Sequence, residues 1–204
     1  SLTIDTLTQI NVKALPKLNV GRNEIFVGAG DQSDTMVLWP DLRGEFWRRD
    51  AYDFQNIASQ SVTVPRKYTA VAFPATLTQD AHLTYRMEAP TDITRFVYGG
   101  RLHNFKAGSY IDFLHSFDGG ATWIRSYRLS DVSKPYDVIH YETVTDVPAG
   151  MRSVLFRFLI HNTNGDAFRA SGLYSVRMEV NHRPVHDAPW RVDVTWRWKE
   201  VLPD

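Results

Sequence analysis

Residues 153–160 read S-V-L-F-R-F-L-I, and the fold follows from how they alternate. Val154, Phe156, Phe158 and Ile160 share one face of an extended chain. Leu155, Arg157 and Leu159 share the other. Period-2 alternation of apolar residues marks a β-strand, and an opposite face that is also largely apolar marks a central strand covered on both sides. Residues 173–180 repeat the pattern, with Tyr174, Val176, Met178 and Val180 on one face and Ser175, Arg177 and Glu179 on the other. Residues 192–199 place Val192, Val194, Trp196 and Trp198 opposite Asp193, Thr195, Arg197 and Lys199.

Working outward, further strands are expected at 25–28, 61–64, 68–74, 82–89, 95–102, 109–116, 122–129 and 138–145. Turn formers separate these runs: Asp118-Gly119-Gly120, Ala149-Gly150, Asn164-Gly165-Asp166 and Ser171-Gly172. Short strands broken at regular intervals predict an all-β, two-sheet antiparallel β-sandwich. Residues 39–57 lack alternation and read as a long loop holding one helical turn; such loops are usually functional. No Ser- or Gly-rich linker interrupts the chain, so residues 1–204 are expected to form one sandwich domain. H-N-F-K-A-G-S-Y at 103–110 is echoed weakly by H-N-T-N-G-D-A-F-R-A-S-G-L-Y at 161–174.

Composition narrows the function. Lys plus Arg and Asp plus Glu each number 23 in 204 residues. A neutral chain offers no global field to a phosphate backbone, which argues against nucleic acid as a partner. There is no cysteine, which excludes disulfides and Cys-ligated metal sites. No run of 18 apolar residues exists to insert in a membrane. The 6 Trp, 9 Tyr and 11 Phe suit pleated surfaces and are also what sugar rings stack on.

Residues 116–123 read S-F-D-G-G-A-T-W and fit S-x-D-x-G-x-T-W at every fixed position. This resembles the Asp-box, a β-hairpin motif of sialidases and of many secreted carbohydrate-associated proteins. The resemblance implies that Ser116, Asp118, Gly120, Thr122 and Trp123 fold a hairpin away from any catalytic centre. The Asp-box run followed by the late G-L-Y-S-V-R-M-E-V strand also resembles jelly-roll and galactose-binding-like sandwiches. F-K-A-G-S-Y at 105–110 is similar to the Y-F-K-x-G-x-Y motif of jelly-roll alginate lyases, which implies an acid–base role for Tyr110 with a His. Here the motif falls mid-chain, Ile139-His140 lacks the Gln of that family's Q-I-H strand, and Arg177-Met178-Glu179 lacks its final Arg.

No G-x-S-x-G elbow, Gly-rich phosphate loop or H-E-x-x-H set is present, so no catalytic residue is assigned. Asp31, Ser33 and Asp34 offer hard oxygen ligands to a structural Ca2+, and equally read as turn formers. No other cofactor is expected. For sugar binding the candidates are aromatics and planar polar groups outside the clean alternation: Trp47 with Arg49, Arg101, His103 and Asn104 at a strand end, Tyr136 after Pro135, and Trp190 beside Arg191. The alternative is that these aromatics cap the sandwich or pack on another domain.

Together these observations lead to an expectation of a non-catalytic carbohydrate-binding or accessory module of a secreted glycan-associated protein. Its partner would be a glycan or carbohydrate polymer, with other domains of a larger protein beside it. No basic-then-apolar segment follows Ser1, so any secretion signal has been removed; a secreted, periplasmic or cell-surface location is expected. Two alternatives stay open: a polysaccharide lyase using Tyr110 and a His, and a structural module docking onto a larger enzyme.

Overall fold

The computed structural model describes residues 21–26 (as backbone), 34–61, 70–130, 137–163 and 170–184. They form twelve strands: β1 Gly21–Phe26, β2 Asp34–Trp39, β3 Asp53–Gln55, β4 Ile57–Ser61, β5 Ala70–Pro74, β6 Ala81–Glu88, β7 Ile93–Asn104, β8 Tyr110–Ser116, β9 Ile124–Leu129, β10 Asp137–Val144, β11 Ser153–His161 and β12 Ser171–His182. Among the described residues the one helical element is a 3-10 turn at Phe46–Arg49, within the loop where a helical turn was expected.

The strands make two antiparallel sheets. In the larger, β12 is the hub: β7 and then β10 lie on one side of it. On its other side β2 and β1 follow from residues 178–182, and β5 and β4 from Leu173. The smaller sheet runs β3-β6-β11-β8-β9. From β6 onward the chain alternates sheets, with only β8 and β9 staying together. That winding is what a jelly-roll requires.

Each sheet turns one apolar face inward. Val154, Phe156, Phe158 and Ile160 of β11 are buried, on the face read from the sequence. They meet Phe96, Tyr98 and Leu102 of β7 and Val176, Met178 and Val180 of β12. Phe156 packs edge-on to Phe96 with centroids 5.1 Å apart, and 4.9 Å from Tyr98. Leu155, on the opposite face of β11, is buried as well. Gly120 of the 116–123 turn lies against it, with the Trp123 ring beside Gly120.

In β12 the alternation slips. An irregularity between Leu173 and Ser175 puts Leu173 in the core, in phase with Val176, and leaves Tyr174 half-exposed. Tyr174 therefore does not share the apolar face expected of it. A bulge inserts one residue, and every side chain before it changes face. The expectations also omitted β2, whose D-T-M-V-L-W is buried nearly throughout and so shows no alternation. The strand expected at 192–199 lies outside the described residues.

Buried His115 and half-buried His82 couple the fold to pH. His115 Nδ1 lies 3.0 Å from Ser126 Oγ and 3.2 Å from the Tyr98 hydroxyl. Burial pushes the imidazole pKa of His115 down, and burial does the same to His82 despite its bond to Asp53. A lowered folded-state pKa means that the unfolded chain binds the proton more readily. The stability these rings supply is thus present above the unfolded value of about 6.5 and is lost as pH falls through the folded values. The melting temperature should drop between pH 7.5 and 5, and the His82→Gln/His115→Gln double variant should flatten that drop.

Candidate functional site

The hairpin gathers the residues the sequence singled out. Ser116 Oγ donates to Asp118 Oδ1 (2.7 Å) and accepts from the Gly120 amide (2.9 Å). Asp118 also accepts from the Thr122 amide at 2.9 Å and the Thr122 hydroxyl at 2.6 Å. Gly119 and Gly120 take φ of 73° and 96°, which side-chain-bearing residues rarely adopt. The Thr122 bonds, then that of Ser116, hold the Asp118 carboxyl far below the usual carboxylate range. The stabilisation by this carboxylate is therefore present above its unfolded value of about 4 and fades only in strong acid. Asp118→Ala should lower the melting temperature at pH 6, by a margin that shrinks as the pH is taken well below 4.

Trp123 leaves this turn with the Arg157 guanidinium 4.1 Å over its ring. Arg157 is held in turn by Thr84 Oγ1 (2.8 Å) and Asp53 Oδ2 (3.1 Å). These contacts fix the hairpin on the outer face of the smaller sheet.

Trp47 does not present an open face. It is fully buried, edge-on to Phe54 at 4.9 Å, with Arg48 at 4.3 Å over its ring. A 3-10 turn points successive residues in different directions, so Trp47 turns in while Phe46 turns out. Arg49 is exposed, with Asp50 at 3.7 Å. Asn104 is also buried; its Nδ2 donates to the Ser109 carbonyl at 2.8 Å, closing the turn between β7 and β8. Asp34 is buried at the start of β2, paired in register with His182, so it does not lie in the open polar turn expected of a calcium ligand. Tyr136, Trp190 and Asp31 lie outside the described residues. Among those described, no three of His, Asp and Glu group to hold a metal.

The other two candidates do come together. Arg101 and His103 sit on the outer face of the larger sheet, beside residues the sequence reading passed over. Arg101 Nε donates to Asp137 Oδ1 at 2.8 Å, and its Nη2 pairs with Asp137 Oδ2. Its guanidinium lies 5.5 Å from the Tyr174 ring. The His103 ring lies 4.7 Å from each of Tyr174 and Phe105, tilted to both, and rests against Gly172.

One register further, Tyr141 of β10, Gly99 of β7 and Arg177 of β12 form a row across three strands. Residues directly opposite in antiparallel strands share a face, so Tyr141 and Arg177 flank a position that has no side chain. Tyr141 is 40% exposed and Ile139, one row along, 69%. Burial raises the Tyr141 phenol pKa, and the Arg177 charge opposes that shift. Arg177 Nη2 donates to Glu179 Oε2 at 2.8 Å. The face thus offers an exposed aromatic and aliphatic pair on β10, whose backbone closes against Gly99, with an Arg–carboxylate pair on either side. Such a surface can stack a flat apolar ring face and can both donate and accept hydrogen bonds around it.

Two signals could have located this row. Gly99-Gly100 inside an expected strand marks a close approach, and residues 138–145 put Ile139 and Tyr141 together on one face.

At the same end of the molecule the two echoing segments touch. The Thr163 amide donates to Ser109 Oγ at 3.2 Å and the Phe105 amide to the Ala170 carbonyl at 2.7 Å. Tyr110 stacks on His161 with centroids 4.6 Å apart, and the Arg128 guanidinium lies 3.7 Å from the Tyr110 ring centre. Both partners are engaged elsewhere: Arg128 makes two 2.6 Å bonds to Asp112, and His161 Nδ1 lies 2.6 Å from Asp80 Oδ1. Among the described residues no helix is long and apolar enough to cross a membrane.

No protein-family model matches the chain, and no curated protein matches it in sequence. Solved structures show distant likenesses. The C-terminal CBM6 of LamC, a marine laminarinase from Zobellia galactanivorans, is 11% identical with a TM-score of 0.43, over 70% of this chain and 98% of its own. The carbohydrate-binding module CBM6cm-2 from Cellvibrio mixtus lichenase 5A, solved with cellotriose, is 12% identical with a TM-score of 0.41, over 68% and 94%. The enzymatically active domain of bacteriophage CBA120 tailspike protein 4 is 11% identical with a TM-score of 0.36, over 74% of this chain and 19% of that one. The strand order above, not these likenesses, carries the fold.

Proposed function

We propose that this chain is a non-catalytic carbohydrate-binding module, an accessory part of a secreted glycan-associated protein. The observation that carries this reading is the Tyr141–Gly99–Arg177 row with its paired neighbours. A pyranose has one flat apolar face and a rim of hydroxyls, each both donor and acceptor. The Tyr141 ring supports stacking. The Arg101–Asp137 and Arg177–Glu179 pairs, fixed by their own bonds, supply donors and acceptors already in place. Preorganised groups lose little entropy on binding, yet a shallow face buries little area, so the affinity should be modest. A glycan array followed by calorimetry tests the reading. Binding to at least one glycan is expected, and silence across the array would sink it.

A second reading, a polysaccharide lyase, is favoured by one observation: Tyr110, His161 and Arg128 are in contact. Against it, a lyase needs a guanidinium free to neutralise a uronate and a His free to take a proton. Arg128 is committed to Asp112, and His161 to Asp80. Incubation with uronic-acid polymers should produce no ultraviolet-absorbing unsaturated product; its appearance would replace the binding reading with a catalytic one.

A further inference from the structure

Two polar atoms of the loop between β2 and β3, Trp47 Nε1 and Asp50 Oδ2, are buried without a hydrogen-bond partner, as is the Tyr85 hydroxyl of β6. A buried polar group left unpaired forfeits the bonds that water would give it, so each of the three calls for an explanation. Chain order and strand pairing relate them. Trp47 lies in the 3-10 turn and Asp50 ends it. Burial chiefly, with the Asp50 charge added, drives the Tyr85 phenol pKa up. The loop returns along β6 through the Tyr52 amide on the Thr84 carbonyl (2.8 Å) and the pairing of Phe54 with Leu83. The nearest cation to Asp50 Oδ2 is Arg49, at 3.7 Å, beyond hydrogen-bond reach.

The surface of the same loop and of β3 is aromatic. Phe46, Tyr52 and Phe54 are 59%, 50% and 40% exposed, and are three of the seven large apolar side chains exposed among the described residues. Arg48 lies 4.6 Å from the Phe54 ring and Arg86 4.9 Å from that of Tyr52.

We propose that the 42–54 loop is a second sugar-binding site, on the smaller sheet's β3 edge. It takes a neutral pyranose that stacks on Tyr52 or Phe46 and sends a hydroxyl pair to Asp50, Tyr85 and Trp47. The donor–acceptor inventory sets the ligand class. Asp50 only accepts, the Trp47 indole only donates, and Tyr85 does both. A hydroxyl pair matches that set. An anion would meet the Asp50 carboxylate, and a cation the indole N–H. The arginines are matched too: Arg48 by Glu45, Arg49 by Asp50 and Arg86 by Glu88, so no charge is left to select an acidic sugar.

Entry requires the 3-10 turn to shift. The turn has no side-chain N-cap bond, and its entry is held by two backbone bonds of 3.1 Å, Phe46 to Arg43 and Arg48 to Glu45. The proposal shares the glycan class of the proposed function but uses different residues.

The test follows the indole N–H resonances of the 15N-labelled chain during titration with D-glucose, D-galactose, D-mannose and D-xylose, the Trp47 signal being assigned through Trp47→Phe. One of these sugars should move the Trp47 resonance saturably. The shift should persist in Tyr141→Ala and weaken about tenfold or more in Tyr52→Ala. A Trp47 resonance unmoved by all four sugars overturns the proposal, as does a shift that Tyr141→Ala abolishes. Shifts on the Tyr141 face without Trp47 would leave the proposed function standing and remove this site. Shifts at Trp47 alone would do the reverse.

Discussion

Tyr141→Ala should abolish most glycan binding while leaving the fold intact. Tyr141 lies on β10, which pairs with β7 alone among the described strands, and its ring is the exposed aromatic in the row over Gly99. Truncating a central aromatic anchor typically costs about 2 kcal/mol or more of binding free energy. Every 1.4 kcal/mol is tenfold, so the affinity should fall by roughly 30-fold. Calorimetry against the best glycan from an array would read it. Tyr141→Phe separates the ring from its hydroxyl: if stacking dominates, this variant keeps most of the affinity. A Tyr141→Ala protein that binds as tightly as the parent would remove the outer face from consideration.

Gly100→Ala should be among the most damaging small substitutions in the sheet. Gly100 sits inward at the centre of β7, between His140 and Val176. A Cβ there would run into the Ser175 carbonyl oxygen, standing 2.9 Å from its carbon and 3.0 Å from the Val176 Cα. These are backbone atoms of the hub strand and cannot swing aside. Overpacking of this kind costs about 3 kcal/mol or more when backbone must move. Gly150 is a useful contrast. Its φ is 79°, but nothing lies within 4 Å of an added Cβ. Gly150→Ala carries only the cost of a left-handed residue, about 1–2 kcal/mol. Denaturant midpoints for the two variants should differ clearly, with Gly100→Ala the lower. Equal midpoints would mean that β7 and β12 pair more loosely than the register states.

Much of the architecture was legible in single strands. Val154, Phe156, Phe158 and Ile160 alternate in the sequence and are buried in the structure. Gly119 and Gly120 announce the turn they make. Where reading failed, the pattern itself was missing. β2 is buried on both faces, so its residues do not alternate, and periodicity cannot separate such a run from other buried segments. The slip after Leu173 is a one-residue irregularity that no local pattern announces, and it moved Tyr174 to the outside.

The site was less legible, because it is made by register. Arg101 was picked out for its place at a strand end, yet its partner Asp137 is 36 residues away and meets it only because β10 lies beside β7. Tyr141, Gly99 and Arg177 come from three strands and align only once pairing is known. Trp47 drew attention as a loop tryptophan, and the 3-10 turn rotated it inward. Composition marks aromatics as available; topology decides which of them face a ligand.

The central claim is that the outer face of the larger sheet holds the glycan. The direct measurement is a backbone amide titration of the 15N-labelled chain with its best-binding oligosaccharide. The largest shifts are predicted at Gly99, Arg101, Tyr141 and Arg177, on three neighbouring strands. Shifts confined to Tyr110, Arg128 and His161, with that face silent, would contradict the claim.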